Sequence, residues 1–177
     1  QDAGVDGFFV AAPGEADEGF ASGHPPIEPS RGAAVGSVPP LGAAAMVEMV
    51  LHRILLSETT DQQYIYLKEK AGERSFPIVI GFPEAQAIHR FVNQQAVPRP
   101  QTHELFTSVL TVLGARLSRV EVTNLKDSTF YAVLHLVTGD GRVAEVDARP
   151  SDAIALATAV KAPIFVAEAV IEESVAT

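Results

Sequence analysis

The 177-residue chain contains no cysteine and no tryptophan, and aromatic residues make up only 7% of it. Without cysteine, disulfides, thiolate metal sites and cysteine nucleophiles are excluded. No segment approaches the roughly 20 uninterrupted apolar residues that a membrane-spanning helix needs. The N-terminus also lacks the basic segment and apolar run of a secretory signal. We therefore expect a soluble, cytoplasmic protein with no membrane partner.

Basic residues are also few, because 13 Lys and Arg stand against 22 Asp and Glu, a net charge of −9. This balance excludes a strongly basic nucleic-acid-binding surface, although it leaves room for a local basic patch. Residues 1–45 carry one arginine and six acidic residues, whereas residues 46–177 carry 12 basic and 16 acidic ones. More than half of the net negative charge therefore lies in the first quarter of the chain.

The first 45 residues differ in composition from the rest. They are rich in glycine, proline and alanine and show almost no hydrophobic periodicity, which predicts a disordered leader. Hydrophobic patterning begins at Met46, so Met46 or Met49 is a candidate native start. We expect residues 46–177 to form one domain, which at this length buries about two-thirds of its unfolded surface.

Within that domain, the hydrophobic pattern predicts three strands and then a helix, twice over. The predicted strands are 47–56, 64–67, 76–80, 117–125, 130–137 and 143–147, and the helices begin near 84 and 150. A further helix lies between the two units, with Thr102 as its N-cap and Gly114 just past its end. Its apolar side is predicted to consist of Leu105, Val109, Val112 and Leu113. A strand at 164–166 and a helical turn at 168–173 complete the pattern. This arrangement predicts an α+β fold with a largely antiparallel sheet and helices packed on one side.

One segment combines charge, proline and a helix start: residues 145–152. Pro150 favours an extended Arg149, which leaves the guanidinium at a strand end beside a helix N-terminus, a plausible phosphate site. Asp147 and Asp152 are two nearby carboxylates that would hold a divalent ion or act as a base. The alternative is structural: Ser151 or Asp152 caps the helix, and Arg149 pairs with Asp147 or Asp152.

Other polar residues are weaker candidates. His103 either packs at the start of its helix or acts as a general acid or base near neutral pH. Lys126 and Asp127 form either a catalytic pair or a solvated hairpin corner. For Glu84, the favourable position of a carboxylate in the first helical turn is a sufficient explanation.

Motifs of one known family recur in segments 76–81, 84–88, 98–105, 113–115, 125–132, 147–157 and 162–166. Together these segments resemble the bifunctional nuclease family. The similarity runs in order, without large gaps, from about Met46 to the C-terminus, and residues 1–45 have no counterpart in it.

The resemblance implies a small α+β domain that forms a homodimer or higher homo-oligomer and hydrolyses RNA or single-stranded DNA. On this basis the expected catalytic residues are Asp147, Arg149, Asp152, His103 and Asp127. The residues expected to bind substrate are Arg149, Lys126 and Arg99, and a divalent cation such as Mg²⁺ is the candidate cofactor. The alternative is a non-catalytic dimeric binding or regulatory domain, for which a phosphorylated ligand is one candidate.

Overall fold

A computed structural model describes residues 9–10, 45–57 and 62–175. Their strands are β1 (Phe9–Val10), β2 (Met46–Leu55), β3 (Gln63–Glu69), β4 (Ser75–Ile80), β5 (Arg116–Lys126), β6 (Thr129–Val137), β7 (Val143–Ala148) and β8 (Ile164–Ala167). Their helices are α1 (Phe82–Val92), α2 (Thr102–Val112), α3 (Pro150–Val160) and α4 (Glu168–Val175).

The strands form one mixed sheet in the order β4-β3-β2-β8-β5-β6-β7, and β1 pairs with β2 beside this path. Every pairing is antiparallel except that of β5 with β8, which is parallel. The strand β8 therefore joins the two β-β-β-α units, because it pairs with β2 of the first and β5 of the second. The α+β class and the twofold pattern predicted from the sequence are confirmed.

Strand alternation builds the core. In β4, Phe76, Ile78 and Ile80 are buried while the residues between them are exposed, as expected for a strand with one covered face. Buried side chains of α1, α3 and α4 join these strand residues in one hydrophobic cluster. Almost all of α3 from Pro150 to Ala157 is buried, which explains its small, apolar sequence. Because α3 packs against α1, the first turns of the two helices lie close together.

Two predictions about the ends of elements have different outcomes. Gly114 follows α2 with a φ of 66°, the left-handed conformation that favours glycine, as predicted. The predicted N-cap is wrong by one residue, because α2 begins at Thr102 and its N-cap is Gln101. The Glu104 carboxylate accepts a hydrogen bond from the Gln101 backbone N–H at 3.2 Å, which fixes the start of the helix there.

The predicted disorder of residues 1–45 lies outside the described residues, apart from Phe9–Val10 and Ala45. Phe9 and Val10 pair with Ile54 and Arg53 of β2. None of the helices formed by the described residues is long and apolar enough to cross a membrane.

Candidate functional site

Arg149 is the residue between β7 and α3, and its side chain links two carboxylates. Its backbone is extended, with φ −70° and ψ 143°, because Pro150 occupies the first position of the helix. Nε donates a hydrogen bond to Asp152 Oδ2 at 2.7 Å, and Nη2 donates one to Glu84 Oε1 at 2.7 Å. These two bonds raise the pKa of Arg149 above its ordinary value. The side chain is nevertheless 66% exposed, so solvent and solutes reach the guanidinium.

Asp152 connects Arg149 to His103. Its Oδ1 lies 3.1 Å from His103 Nε2, and the imidazole in turn packs edge-on against Phe91 at 6.4 Å between ring centroids. Burial raises the pKa of Asp152, whereas the hydrogen bonds from Arg149 and His103 lower it. The combined effect of the hydrogen bonds is larger, so the pKa lies below the ordinary aspartate value. An ionised carboxylate only accepts hydrogen bonds, so His103 carries a proton on Nε2. In the neutral ring Nδ1 is then the free acceptor.

The packing of α1 on α3 brings Glu84 to this site. Glu84 is the third residue of α1 and Asp152 the third residue of α3, so each carboxylate lies in the first turn of its helix. The Glu84 side chain folds back over Gly81, where an added Cβ would overlap Oε2. Glycine at this position therefore leaves room for the carboxylate that holds Arg149. We refer to Glu84, His103, Arg149 and Asp152 as the Arg149 cluster.

The structure thus brings together Arg149, Asp152 and His103, three of the residues that the sequence and the family resemblance single out. Glu84 was interpreted only as a first-turn carboxylate, so its bond to Arg149 was missed. The twofold pattern contained a signal, because it places an acidic residue third in both equivalent helices.

The other predicted residues lie apart from this cluster. Asp147 is exposed on β7, opposite Val133 of β6. Lys126 and Asp127 are exposed at the turn between β5 and β6, and Arg99 is exposed in the loop between α1 and α2. In the part of the chain that is described, no hydrogen bond or ion pair joins these four residues to the Arg149 cluster.

The structural alternative for residues 149–152 had two parts, the pairing of Arg149 and the capping of α3, and the structure agrees with the first only. Arg149 pairs with Asp152, as that alternative predicts. The predicted capping is wrong, because the N-cap of α3 is Arg149 itself and no side-chain hydrogen bond caps the helix. The Asp152 carboxylate is bonded to Arg149 and His103 instead.

A metal site does not follow from this geometry. Over residues 45–57 and 62–175, no group of three or more His, Asp or Glu side chains is arranged to hold an ion. Glu84 and Asp152 both face the Arg149 guanidinium, so the positive charge between them is that of the arginine.

A second polar cluster lies on strands β5, β6 and β7. His135 is 3% exposed, with Nε2 at 3.0 Å from Glu121 and Nδ1 at 3.7 Å from Glu145. Arg119 Nε donates to Glu121 at 2.7 Å. The buried charges of Arg119 and Glu121 are thus paired with each other.

Comparison with known proteins identifies the family. The model of the bifunctional nuclease domain matches residues 65–177. Two relatives from Mycobacterium tuberculosis, MT1877 of strain CDC 1551 / Oshkosh and Rv1829 of strain ATCC 25618 / H37Rv, are both described as uncharacterized proteins. Each is 39% identical over 131 residues, which cover 73% of this chain and 76% of the relative. The chain belongs to the bifunctional nuclease domain family, and the resemblance predicted from its motifs is confirmed.

Proposed function

We propose that the protein hydrolyses phosphodiester bonds of RNA or single-stranded DNA at the Arg149 cluster. Membership of the bifunctional nuclease domain family supports this class of activity. The observation that carries the location is the exposed guanidinium of Arg149 beside an uncapped helix N-terminus and a His–Asp pair. A cation, free backbone donors and a potential proton acceptor thus lie within one cluster.

Arg149 would bind the scissile phosphate. Its Nε and Nη2 donate hydrogen bonds to Asp152 and Glu84, so the guanidinium is held in place before substrate binds. The remaining nitrogen, Nη1, makes no hydrogen bond to any described residue and is free to donate to a phosphate oxygen. Because the guanidinium is already oriented, it would stabilise the negative charge that develops on the phosphate oxygens in the transition state.

His103 would transfer the proton. With Nε2–H directed at Asp152, the Nδ1 lone pair would take a proton from the water molecule that attacks the phosphorus. The P–O bond to the leaving oxygen would break in the same step, and that oxygen would take a proton from solvent. Asp152 would then stabilise the imidazolium and keep the ring oriented. Lys126 and Arg99 would contact neighbouring phosphates, and we retain Asp127 and Asp147 as candidates for positioning water or a divalent cation such as Mg²⁺.

The test compares cleavage by the wild type, Arg149→Ala and Arg142→Ala from matched preparations. Arg142 is a suitable control because it is also an exposed arginine paired with a nearby aspartate, Asp140, at a different turn. Labelled single-stranded RNA and DNA would be incubated with Mg²⁺, Mn²⁺ or chelator. We expect Arg149→Ala to lower the cleavage rate by about a hundredfold or more and Arg142→Ala to leave it unchanged. Equal cleavage by all three proteins would refute this site.

The alternative is a non-catalytic binding or regulatory domain. The observation that favours it is that Arg149, Asp152, Glu84 and His103 already satisfy one another, as a structural network would. In that case Arg149→Ala would lower the melting temperature, and no preparation of the wild type would cleave either nucleic acid.

We also propose that two copies of the chain associate through α2. None of its residues is buried, although its sequence is amphipathic. The uncovered apolar residues, with their exposed fractions, are Leu105 (55%), Phe106 (37%), Val109 (45%) and Val112 (73%), followed by Leu113 (71%). We call these five residues the α2 apolar face. Such a continuous apolar stripe is typical of an interaction surface.

A further inference from the structure

A cavity of about 290 Å³ lies beside Arg149, between strand β4, the β5–β6 turn and the start of α3. Strand β4 is at the edge of the sheet, so part of its backbone has no neighbouring strand. The residues that line the cavity are 78–81, 128–130 and 149–151. The two ends of this cavity differ in chemistry.

The polar end is the N-terminus of α3. Ser151 is only 7% exposed and lines the cavity, and its hydroxyl makes no hydrogen bond to a described residue. The helix has no side-chain cap, and its first backbone bond runs from the Ala153 N–H to the Arg149 carbonyl. The backbone N–H groups of Ser151 and Asp152 are thus left to donate elsewhere. Together with Arg149, these donors suit a phosphate.

The apolar end consists of β4 and Phe130. Ile78 and Ile80 are buried, and Phe130 stacks on Phe76 of β4 at 6.0 Å between ring centroids. The cavity therefore combines an apolar floor and an aromatic ring with the polar backbone groups of an edge strand. A nucleobase has this combination of an apolar face and a hydrogen-bonding edge.

The β5–β6 turn that forms the third wall is a two-residue hairpin turn of type I′. Asp127 and Ser128 have φ values of 49° and 58°, a left-handed conformation that is unfavourable for residues other than glycine. This geometry matches the right-handed twist of the two strands and is the favoured one for a two-residue hairpin. Here it directs Ser128 and Thr129 to the cavity.

We propose that this cavity binds one nucleoside unit of the substrate, with the attached phosphate on Arg149, Ser151 and the N-terminus of α3. The inference rests on the proposed function and adds the position of the base. The cavity volume is close to the lower limit of small-molecule sites, roughly 300 Å³, so it accommodates one nucleoside and not a stacked pair. A base held in a duplex would first have to leave its stack, at a cost in free energy, so we expect the cavity to prefer an unpaired base.

The experiment measures binding of a nucleoside monophosphate, the matching nucleoside and inorganic phosphate to the full chain by calorimetry. We expect the monophosphate to bind at least about tenfold more tightly than either part alone. Thr129→Trp adds an indole at the exposed rim of the cavity and should abolish monophosphate binding while phosphate still binds. Thr123→Trp, on an exposed β5 position that does not line the cavity, is the matched control.

Ser151→Ala provides a second variant with little risk to folding. It removes one hydroxyl donor and should weaken both the monophosphate and phosphate by about fivefold. Circular dichroism and melting temperature would confirm that each variant is folded. Equal affinity of the wild type for monophosphate and phosphate, or unchanged monophosphate binding by folded Thr129→Trp, would overturn the proposal.

Failure of this inference is distinguishable from failure of the proposed function. If Arg149→Ala abolishes cleavage but Thr129→Trp binds the monophosphate normally, the nuclease stands and the cavity is not its base site. If the wild type cleaves nothing but binds the monophosphate in a manner that Thr129→Trp blocks, the proposed nuclease function falls and the nucleotide site stands.

Discussion

At the scale of single residues, the Arg149 side chain depends on partners that hold it from two sides. Asp152 is its neighbour in sequence, three residues away, whereas Glu84 comes from the other β-β-β-α unit. Since the guanidinium is 66% exposed, each bond contributes little to the free energy of unfolding, on the order of 0.2–1 kcal/mol. The pairing therefore matters more for where the guanidinium points than for stability.

Gly81→Ala tests the role of Glu84 without removing a charge. The added Cβ would overlap Glu84 Oε2 and displace the carboxylate from Arg149. We expect the cleavage rate to fall by about tenfold, because a misplaced phosphate-binding group is a costly defect in catalysis. Gly72→Ala is the control, since its Cβ would overlap Glu69, which pairs with Arg74 away from this cluster. If both variants cleave at the wild-type rate, Glu84 does not position Arg149.

Acid sensitivity provides a test of Asp152. Its pKa is lower in the folded chain than the ordinary value of about 3.9. The ionised carboxylate therefore contributes to the free energy of unfolding. This contribution is fully present at pH values above the ordinary aspartate pKa, and it is lost as the pH falls through the lower pKa of the folded state. Asp152→Asn should melt below the wild type at pH 6, and the gap should close as the pH falls below about 4 and through the folded-state pKa. Glu172→Gln, which removes an exposed carboxylate of α4, is the control.

A gap between wild type and Asp152→Asn that stays constant over this range would contradict the assigned pairing. The sequence identified Asp152, Arg149 and His103 as candidates and offered Asp152 as one of two partners for Arg149, but it did not predict the bond between His103 and Asp152. The first two are close in sequence, so local geometry predicts their pairing. The third, like Glu84, reaches the cluster only because helices pack in three dimensions.

At the scale of elements, the strands were predictable because their apolar residues alternate. Strict alternation along β5 would place Leu117 on the same face as Arg119 and Glu121, and the structure does not follow it. The structure has a register shift between Leu117 and Arg119, so Leu117 lies in the core. A β-bulge inserts one extra residue into a strand and has no characteristic sequence. A prediction based on strict two-residue periodicity therefore misses it.

The β5–β6 turn offers a prediction at this scale. Ser128→Gly removes the Cβ that is strained at a φ of 58°, so it should stabilise the fold by about 0.5–1 kcal/mol. The melting temperature would rise by about 2–5 °C. Ser128→Ala retains the Cβ and serves as the control, for which we expect no rise. A drop in the melting temperature of the glycine variant would show that the Ser128 side chain holds this turn.

At the scale of the whole molecule, the α2 apolar face is where the sequence pattern predicts burial and the described chain shows exposure. Leu105, Val109, Val112 and Leu113 were predicted to form the apolar side of the helix, and within one chain that side is uncovered. Hydrophobic periodicity predicts which residues avoid water, but it does not distinguish a core from a subunit interface. A second copy would bury this stripe by the same physical effect that buries α3.

Self-association is measurable by sedimentation velocity. We expect the wild type to sediment as a dimer or larger homo-oligomer, and Val112→Lys to shift the distribution towards the monomer because it introduces a charge into the α2 apolar face. Thr111→Lys adds the same charge at an exposed polar position of the same helix and should leave the distribution unchanged. A wild type that sediments as a monomer at high concentration would refute this interface.

The most direct measurement of the central claim is the nuclear magnetic resonance of the arginine Nε–H groups during titration with a non-hydrolysable single-stranded oligonucleotide. Arg149 Nε–H and the backbone amides of Ser151 and Asp152 should shift together, while Arg142 Nε–H stays in place. That result would locate the phosphate at the N-terminus of α3. Shifts confined to other arginines, with the Arg149 resonance unmoved at saturation, would contradict the assignment of this cluster as the nucleic-acid site.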